Sequence, residues 1–600
     1  MNRRDFLRTA AALSVLPAGC SHFSNGGVLR RNQPGDAGWP SAAQWEKLNQ
    51  AVSGRLIAVQ SPIEAIKTNG TGREELFRKL KNPYFIGDDP ALTQTSGWVD
   101  AWTTAPSVYA VAAMNAVDVA AAVNFAREHK LRLVVKGGGH SYQGTSNAAD
   151  SLLVWTRRMN EIVLHEGFVP QGCAGSQSPQ PAVSIGAGAI WAQAYHAVSV
   201  VGGRYVQGGG CTTVGVAGLI QSGGFGSFSK KYGTAAAGLL EAEIVTADGA
   251  VRIANACTNP DLFWALKGGG GGSFGVVTKV TLRTRELPNY FGGVFGTIKT
   301  NSDEAFRKLI ARTMIFYREQ LFNPHWGEQV RFDGSNVLNV SMVFQGLNRE
   351  QALEIWRPLI EWIKASPGEY TVQREIVALD IPARDFWNPD ALRKSLPGAI
   401  ALDDRPNAPS GNFLWEGDHG QVGWVVHGYK SVWLPASLLA TEKEARLVDS
   451  LFAASRHWSV SLHFNKGLAG AAAPEINAVR DTATNPAVLE AFALAIIATG
   501  EGPAFPGIPG HEPNVAAARD HAGSVARATA ALLELVPAAG SYVSESDYFE
   551  QSWQRSFWGA NYPRLAAVKR KYDREGLFFV HHGVGSEAWS ADGFTRLAEG

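Results

Sequence analysis

The chain has 600 residues, more than one compact core holds, so two or more packed units are expected. Hydrophobic residues make up 45% and charged residues 18%, the balance of an ordinary soluble globular protein. A net charge of +1 with no long basic run argues against a nucleic-acid partner, and four cysteines without a CxxC pair argue against a disulfide scaffold or a metal site.

The first twenty residues read as an export signal. Arg3-Arg4-Asp5-Phe6-Leu7-Arg8 precedes an apolar run from Thr9 to Ala18, far short of the ~20 residues that span a bilayer. The twin arginines resemble the signal of the route that exports folded proteins. Leu16-Pro17-Ala18-Gly19-Cys20 resembles a lipoprotein cleavage site in a less common form. The expectation is an exported protein, periplasmic or extracellular, whose membrane contact, if any, runs through a lipid on Cys20. Residues 21 to about 45 are polar, with Gly, Asn and Pro, and read as a linker within an N-terminal extension that reaches residue 100.

Between Ala116 and Lys130, Val119, Ala122, Val123 and Ala126 recur at helical spacing. Leu131-Arg132-Leu133-Val134-Val135 then reads as a strand running into Gly137-Gly138-Gly139-His140-Ser141-Tyr142-Gln143-Gly144. A second strand at 181–185 ends at Gly186-Ala187-Gly188. No Asp or Glu lies between Ala189 and Ile220, which argues against a Rossmann-type NAD site. Next comes Gly208-Gly209-Gly210-Cys211-Thr212-Thr213-Val214-Gly215. Residues 241–246, the turn Asp248-Gly249 and 251–254 read as a hairpin. A short helix at 261–267 leads through Gly268 to Gly272 into a strand at 274–282, a third close backbone approach.

From about 287 the glycine clusters thin out. Strands at 337–344, 423–432 and 458–464 mix with helices at 303–318 and 349–365, which reads as a separate α+β unit reaching about 535. Segments 473–480 and 502–513 read as loops on it. After 536 come a strand at 542–549 and a helix carrying Leu565, Val568 and Tyr572. Cys173 and Cys257 read as small buried or loop residues.

Two glycine runs thus each hold one nucleophile, His140 or Cys211. Glycine lets backbone amides turn toward a ligand, which suits a pyrophosphate or an electron-poor ring, and a nucleophile fixed there can bond to what the loop holds. This pairing resembles the flavin-linked oxidases of the berberine bridge enzyme type, within the vanillyl-alcohol oxidase superfamily. The likeness runs from about Asn82 to Trp589. It includes Gly223-Gly224-Phe225-Gly226, Lys231-Tyr232-Gly233, Asn561-Tyr562-Pro563-Arg564-Leu565 and Phe578-Phe579. It departs at Ala235-Ala236-Ala237-Gly238, where relatives usually carry Ala-Asp-Asn.

The resemblance implies an α+β fold: a two-part PCMH-type FAD-binding domain (101–286) completed by the C-terminal segment (536–600), and a substrate domain with an antiparallel sheet (287–535). It implies FAD tied covalently to both His140 and Cys211. Residues expected around the cofactor are Gly137, Gly138, Gly139, Ser141, Gly144, Gly210, Val214, Gly215, Gly218, Gly223, Gly275, Val276 and Asn561, with no metal. Valine at 214, three residues after the cysteine, implies access for oxygen, where leucine implies a dehydrogenase. In relatives the base comes from the sheet or from a late Tyr-x-Asn-Tyr-like strand. Here that strand reads Tyr542-Val543-Ser544-Glu545-Ser546-Asp547-Tyr548, and Tyr542 and Glu545 are the catalytic candidates. Strand alternation puts these two on opposite faces. His463, Asn465 and Lys466 are polar residues for a substrate pocket or for structure.

The expected reaction is hydride transfer from an alcohol or sugar C–H to FAD, with molecular oxygen returning as hydrogen peroxide. Two alternatives stand beside it: oxidative cyclisation or desaturation of a secondary metabolite, and a flavin-bearing carrier without turnover.

Overall fold

The computed structural model describes residues 29–69 and 72–598. The export signal and Cys20 lie outside the described residues. Among the described residues no helix is long and apolar enough to cross a membrane.

Three sheets carry the architecture. The first has the order Leu56–Ala58, Tyr109–Ala112, Ser151–Trp155, Arg132–Lys136, its last three strands parallel. Helix Ala116–Glu128 forms the crossover between its strands. Asn115 caps the helix by accepting from the amides of Val117 and Asp118, and Val119, Ala122, Val123 and Ala126 face the core. The second sheet is antiparallel, with the order Val251–Asn255, Leu239–Val245, Val276–Glu286, Gln180–Gly186, Ile162–Phe168, and Arg204–Val206 pairs with the far end of Val276–Glu286. The third has nine strands in the order Tyr370–Pro382, Tyr290–Thr300, Val337–Gln345, Trp326–Asp333, Val460–His463, Ala491–Glu501, Trp424–Pro435, Thr95–Trp98, Trp102–Thr103. All its pairs are antiparallel except Trp424–Pro435 with Thr95–Trp98. Its opposite face carries helices Asp303–Phe316, Glu444–Ser455 and Val515–Leu533, whose apolar stripes form one core with it.

The C-terminal segment returns to the first two sheets. Phe578 pairs with Leu133 at the edge of the first sheet, while Trp558, Leu565 and Val568 pack into the core of the second. The buried Lys569 ammonium donates to the carbonyls of Ser273 and Phe578 and pairs with Asp573, fastening this segment to the strand after the third glycine run.

Four expectations need correction. The segment called a linker is structured from its first described residues: Arg30 and Asn32 bridge to Thr595 and Leu131, and Ser41 caps helix Ala42–Ala51, whose buried Trp45 stacks on Tyr109. Segment 473–480 is a helix, Ala473–Arg480, because proline in a first turn gives up no needed donor. Residues 542–549 form no strand. The Glu545 amide donates to the Tyr542 carbonyl at 2.9 Å across a tight turn at Val543-Ser544. Cys173 and Cys257 form a disulfide, their Cα atoms 5.5 Å apart.

Candidate active site

Where the three sheets meet, a cavity of about 1290 Å³ opens. It exceeds the ~300–1,000 Å³ of an ordinary ligand pocket, room for a dinucleotide and a further small molecule. Its floor is made by the loops 137–146, 208–219 and 270–275, its roof by the nine-stranded sheet, and one wall by residues 542–545 and 578–583.

Gly137, Gly138, Gly139, His140 and Ser141 line the floor, as do Gly210, Cys211, Val214, Gly215, Gly218 and Gly275. The two nucleophile loops lie back to back. A Cβ on Gly138 would meet the Gly215 nitrogen at 2.6 Å, so glycine is required for the approach. The amides of Gly138, Gly139, His140 and Ser141 donate to no protein group among the described residues, and Gly139 adopts φ +72°. Free amides at a turn form a nest for an anion.

Four expected residues lie off the cavity. Gly144, at φ +69°, packs flat on Trp102, and Gly223 is crowded by Thr484. Val276 points into the core of the first sheet, and its neighbour Val277 lines the cavity instead. Asn561 donates to the Thr484 carbonyl at 2.9 Å, so it braces the C-terminal segment.

His140 Nε2 lies 2.9 Å from Thr213 Oγ1, which joins the two loops by a hydrogen bond. Burial and the positive charge of Arg157 push the imidazole down to about 4, so it stays neutral and nucleophilic at ordinary pH. Cys211 behaves differently. Burial, then the negative charge of Asp418, holds its thiol well above the usual range, so the glycine run alone does not supply a thiolate. Cys211 is half-exposed by surface area and yet desolvated, because the surface it shows faces the enclosed cavity.

The turn at Val543-Ser544 brings Tyr542 and Glu545 to the same wall of the cavity. Glu545 forms an ion pair with the buried Lys466. Burial and the Glu545 charge raise the Tyr542 phenol, which therefore keeps its proton. His463, Asn465 and Lys466 all line the cavity.

Sequence reasoning missed Glu328 and Asp418. Glu328 sits at φ +61° inside strand Trp326–Asp333, a backbone state that L side chains rarely adopt and that costs about 1–3 kcal/mol. Its Oε1 accepts from the Ser227 hydroxyl and from Asn465 Nδ2. A side chain at Gly327 would meet the Ser227 carbonyl at 1.7 Å, so only glycine lets the strand come this near. Burial raises the Glu328 carboxyl. Asp418 follows strand Phe413–Trp415, and burial with the Glu328 charge pushes it up to about 6. Neither residue carries a local sequence signal; sheet register and a long loop deliver them.

Residues 108–255 match the FAD binding domain family and residues 541–585 the berberine and berberine-like family. The FAD-linked oxidoreductase malF of Malbranchea aurantiaca is 31% identical over 617 residues, covering 98% of this chain and 97% of that protein. The chain belongs to the berberine bridge enzyme-like FAD-linked oxidoreductases. The VAO-type flavoprotein oxidase VAO615 of Thermothelomyces thermophilus is 28% identical, over 99% of this chain and 98% of its own. The crystal structure of the VAO-type flavoprotein MtVAO615 from Myceliophthora thermophila C1 superposes with a TM-score of 0.76 at 27% identity, covering 95% of this chain and all of that one. Glucooligosaccharide oxidase from Acremonium strictum, described with a 6-S-cysteinyl, 8α-N1-histidyl FAD, shares the fold at TM-score 0.59 and 21% identity, covering 80% of this chain and 92% of that one. In this flavoenzyme the residues present fit the cofactor: a dinucleotide-sized cavity and a nest of free amides on glycines.

Proposed function

We propose that this flavoenzyme is an exported oxidase that carries FAD on two covalent links, His140 and Cys211, and oxidises an alcohol or sugar C–H with dioxygen as acceptor, releasing hydrogen peroxide. The observation that carries the reading is the back-to-back placement of the two nucleophile loops, joined by the Thr213–His140 hydrogen bond. FAD, when bound, supplies a hydride acceptor that dioxygen can reoxidise.

The chain's own groups then bind, orient and move the proton. The free amides of residues 138–141 hold the pyrophosphate. His140, held neutral, and Cys211 would supply the two nucleophiles that hold the flavin ring covalently. Glu545 accepts the substrate hydroxyl proton, Lys466 offsets the carboxylate charge, and Tyr542 donates a hydrogen bond that orients the substrate. Val214, on the floor beside Cys211, leaves room for oxygen.

Export is supported by the Cys173–Cys257 disulfide, since such bonds persist in oxidising compartments. The twin-arginine segment supplies the route, and Cys20 is the residue a lipid anchor would use.

A second reading, oxidative cyclisation or desaturation of an aromatic metabolite, is favoured by the aromatic wall of the roof. Phe386 lies 5.0 Å from Trp387 and 5.6 Å from Trp415, and all three line the cavity. A peroxide-release screen over mono- and oligosaccharides, primary alcohols and aromatic amines separates the two readings. Peroxide from the sugars or alcohols supports the first, and peroxide from the aromatic set alone supports the second. Flavin that no donor bleaches contradicts both and leaves a carrier.

A further inference from the structure

The Cys211 thiol poses a chemical difficulty. It stands in a desolvated cavity, well above its ordinary range, and a thiol is not the nucleophile. Something must remove its proton before an S–C bond can form.

Of the carboxylates that line the cavity, Glu545 and Glu328 are already engaged. Glu545 pairs with Lys466. Glu328 Oε1 accepts from both Ser227 and Asn465. Asp418 differs: it lines the same cavity as Cys211, its charge acts on the thiol, and its Oδ2 is buried without a hydrogen-bond partner among the described residues. The approach is built into the fold. Thr212, the residue next to Cys211, donates its hydroxyl to the Phe413 carbonyl at 2.6 Å, and Tyr84 donates to the same carbonyl at 2.5 Å. Strand Phe413–Trp415 leads directly into the turn Glu416–Gln421 that carries Asp418. His419, next along the turn, is directed instead at Glu416.

We propose that Asp418 is the proton acceptor for attaching Cys211 to the flavin, so that the protein completes its own second cofactor link. The inference rests on the reading that Cys211 carries FAD. In the balanced step the S–H bond and one ring C–H bond break and one S–C bond forms. Asp418 takes the S–H proton as sulfur attacks. The electron pair and the two hydrogens leave to dioxygen, which departs as hydrogen peroxide, and Asp418 is returned as a carboxylate. A carboxyl raised to about 6 is ionised near neutral pH and is a stronger base than an ordinary carboxylate. The groups that set the thiol's field are Asp418 and Glu328, which oppose its ionisation, and Lys466, which favours it.

The test is Asp418→Asn, produced in parallel with the wild type under FAD-replete expression, then denatured, alkylated with iodoacetamide, digested and analysed by peptide mass. In the wild type the Cys211 peptide carries FAD and resists alkylation. In the variant FAD stays on the His140 peptide, which shows that the protein folded and bound the cofactor. Cys211 is then alkylated, with its flavin link reduced at least about tenfold. A variant whose Cys211 is linked as fully as in the wild type overturns the proposal. A wild-type Cys211 that alkylates freely overturns the bicovalent reading itself and the proposal with it, so the two failures are distinct. Should the variant fail to hold FAD, wild-type apoprotein from riboflavin-starved cells is mixed with FAD in air between about pH 4.5 and 8. Cys211 linkage that slows by about tenfold per pH unit below about pH 6 supports Asp418, and a rate that is flat across the range overturns it.

Discussion

His140 Nε2 and Thr213 Oγ1 lie 2.9 Å apart, so the imidazole on one glycine loop is oriented by a residue two positions beyond the thiol on the other. The two nucleophiles are therefore one mechanical unit. Thr213→Val removes the side-chain half of this connection, a bond worth about 0.5–1.5 kcal/mol net. The expected result is a lower yield of His140-linked flavin, read as the fraction of the His140 peptide that carries FAD after digestion, with the Cys211 peptide less affected. An undiminished His140 yield contradicts the orienting role.

The neutral imidazole sets a pH dependence. Protonation blocks the attacking lone pair, and burial has moved that event from the ordinary ~6.5 down to about 4. With Cys211→Ala apoprotein and added FAD, the linking rate should stay level from about pH 8 to 5 and fall only toward pH 4. A fall centred near pH 6.5 would show an imidazole as free as one in water.

Val214 tests oxygen access without a known substrate. In Val214→Leu, flavin reduced with dithionite and mixed with oxygenated buffer should reoxidise at least about tenfold more slowly than in the wild type, a barrier of ~1.4 kcal/mol. Equal rates remove Val214 from the account.

The Lys466–Glu545 pair can be tested for stability and for chemistry separately. Its side chains are 11% and 19% exposed, so Lys466→Met leaves a mostly buried carboxylate without its cation. Such a loss costs about 3–5 kcal/mol, measurable as a lower midpoint in urea unfolding. Glu545→Gln should keep the flavin and slow its anaerobic bleaching by any active donor about 10²-fold or more. Normal bleaching in that variant would move the base elsewhere, with strained Glu328 the next carboxylate in reach.

The disulfide closes a loop with a sequence separation of 84 residues. Chain entropy assigns such a loop about 4–5 kcal/mol. Cys173→Ser should lower the thermal midpoint while leaving the cavity spectrum intact, and a reductant should lower the wild type likewise. An unchanged midpoint in both would mean that the crosslink adds nothing to stability.

The two nucleophile-bearing loops are legible in the sequence because glycine runs are local and each encloses its nucleophile. Helix Ala116–Glu128 and the strand that follows it are legible for the same reason: Val119, Ala122, Val123 and Ala126 repeat at helical spacing, and Leu131 to Val135 is short and apolar. What escaped depends on partners far along the chain. Glu328 enters the cavity through the register of Trp326–Asp333 with Val460–His463, and Asp418 through a bond between Thr212 and Phe413, 201 residues apart. Tyr542 to Phe549 has the composition of a strand, yet a turn at Val543-Ser544 puts Tyr542 and Glu545 on one wall where alternation separated them. Cys173 and Cys257 show no spacing signature because Ile162–Phe168 and Val251–Asn255 are opposite edges of the second sheet, and the loop after the first crosses to the second, where Gln171 bonds to Glu241 and Asn255.

The most direct test of the whole account is the intact mass of the purified, denatured protein together with its visible absorbance. Two covalent links predict a single species heavier than the chain by one FAD, its yellow colour retained after denaturation and lost only when both His140 and Cys211 are replaced. A protein that binds FAD when native but denatures to the mass of the bare chain, releasing all its colour, contradicts covalent attachment and reduces the two nucleophiles to walls of a non-covalent site.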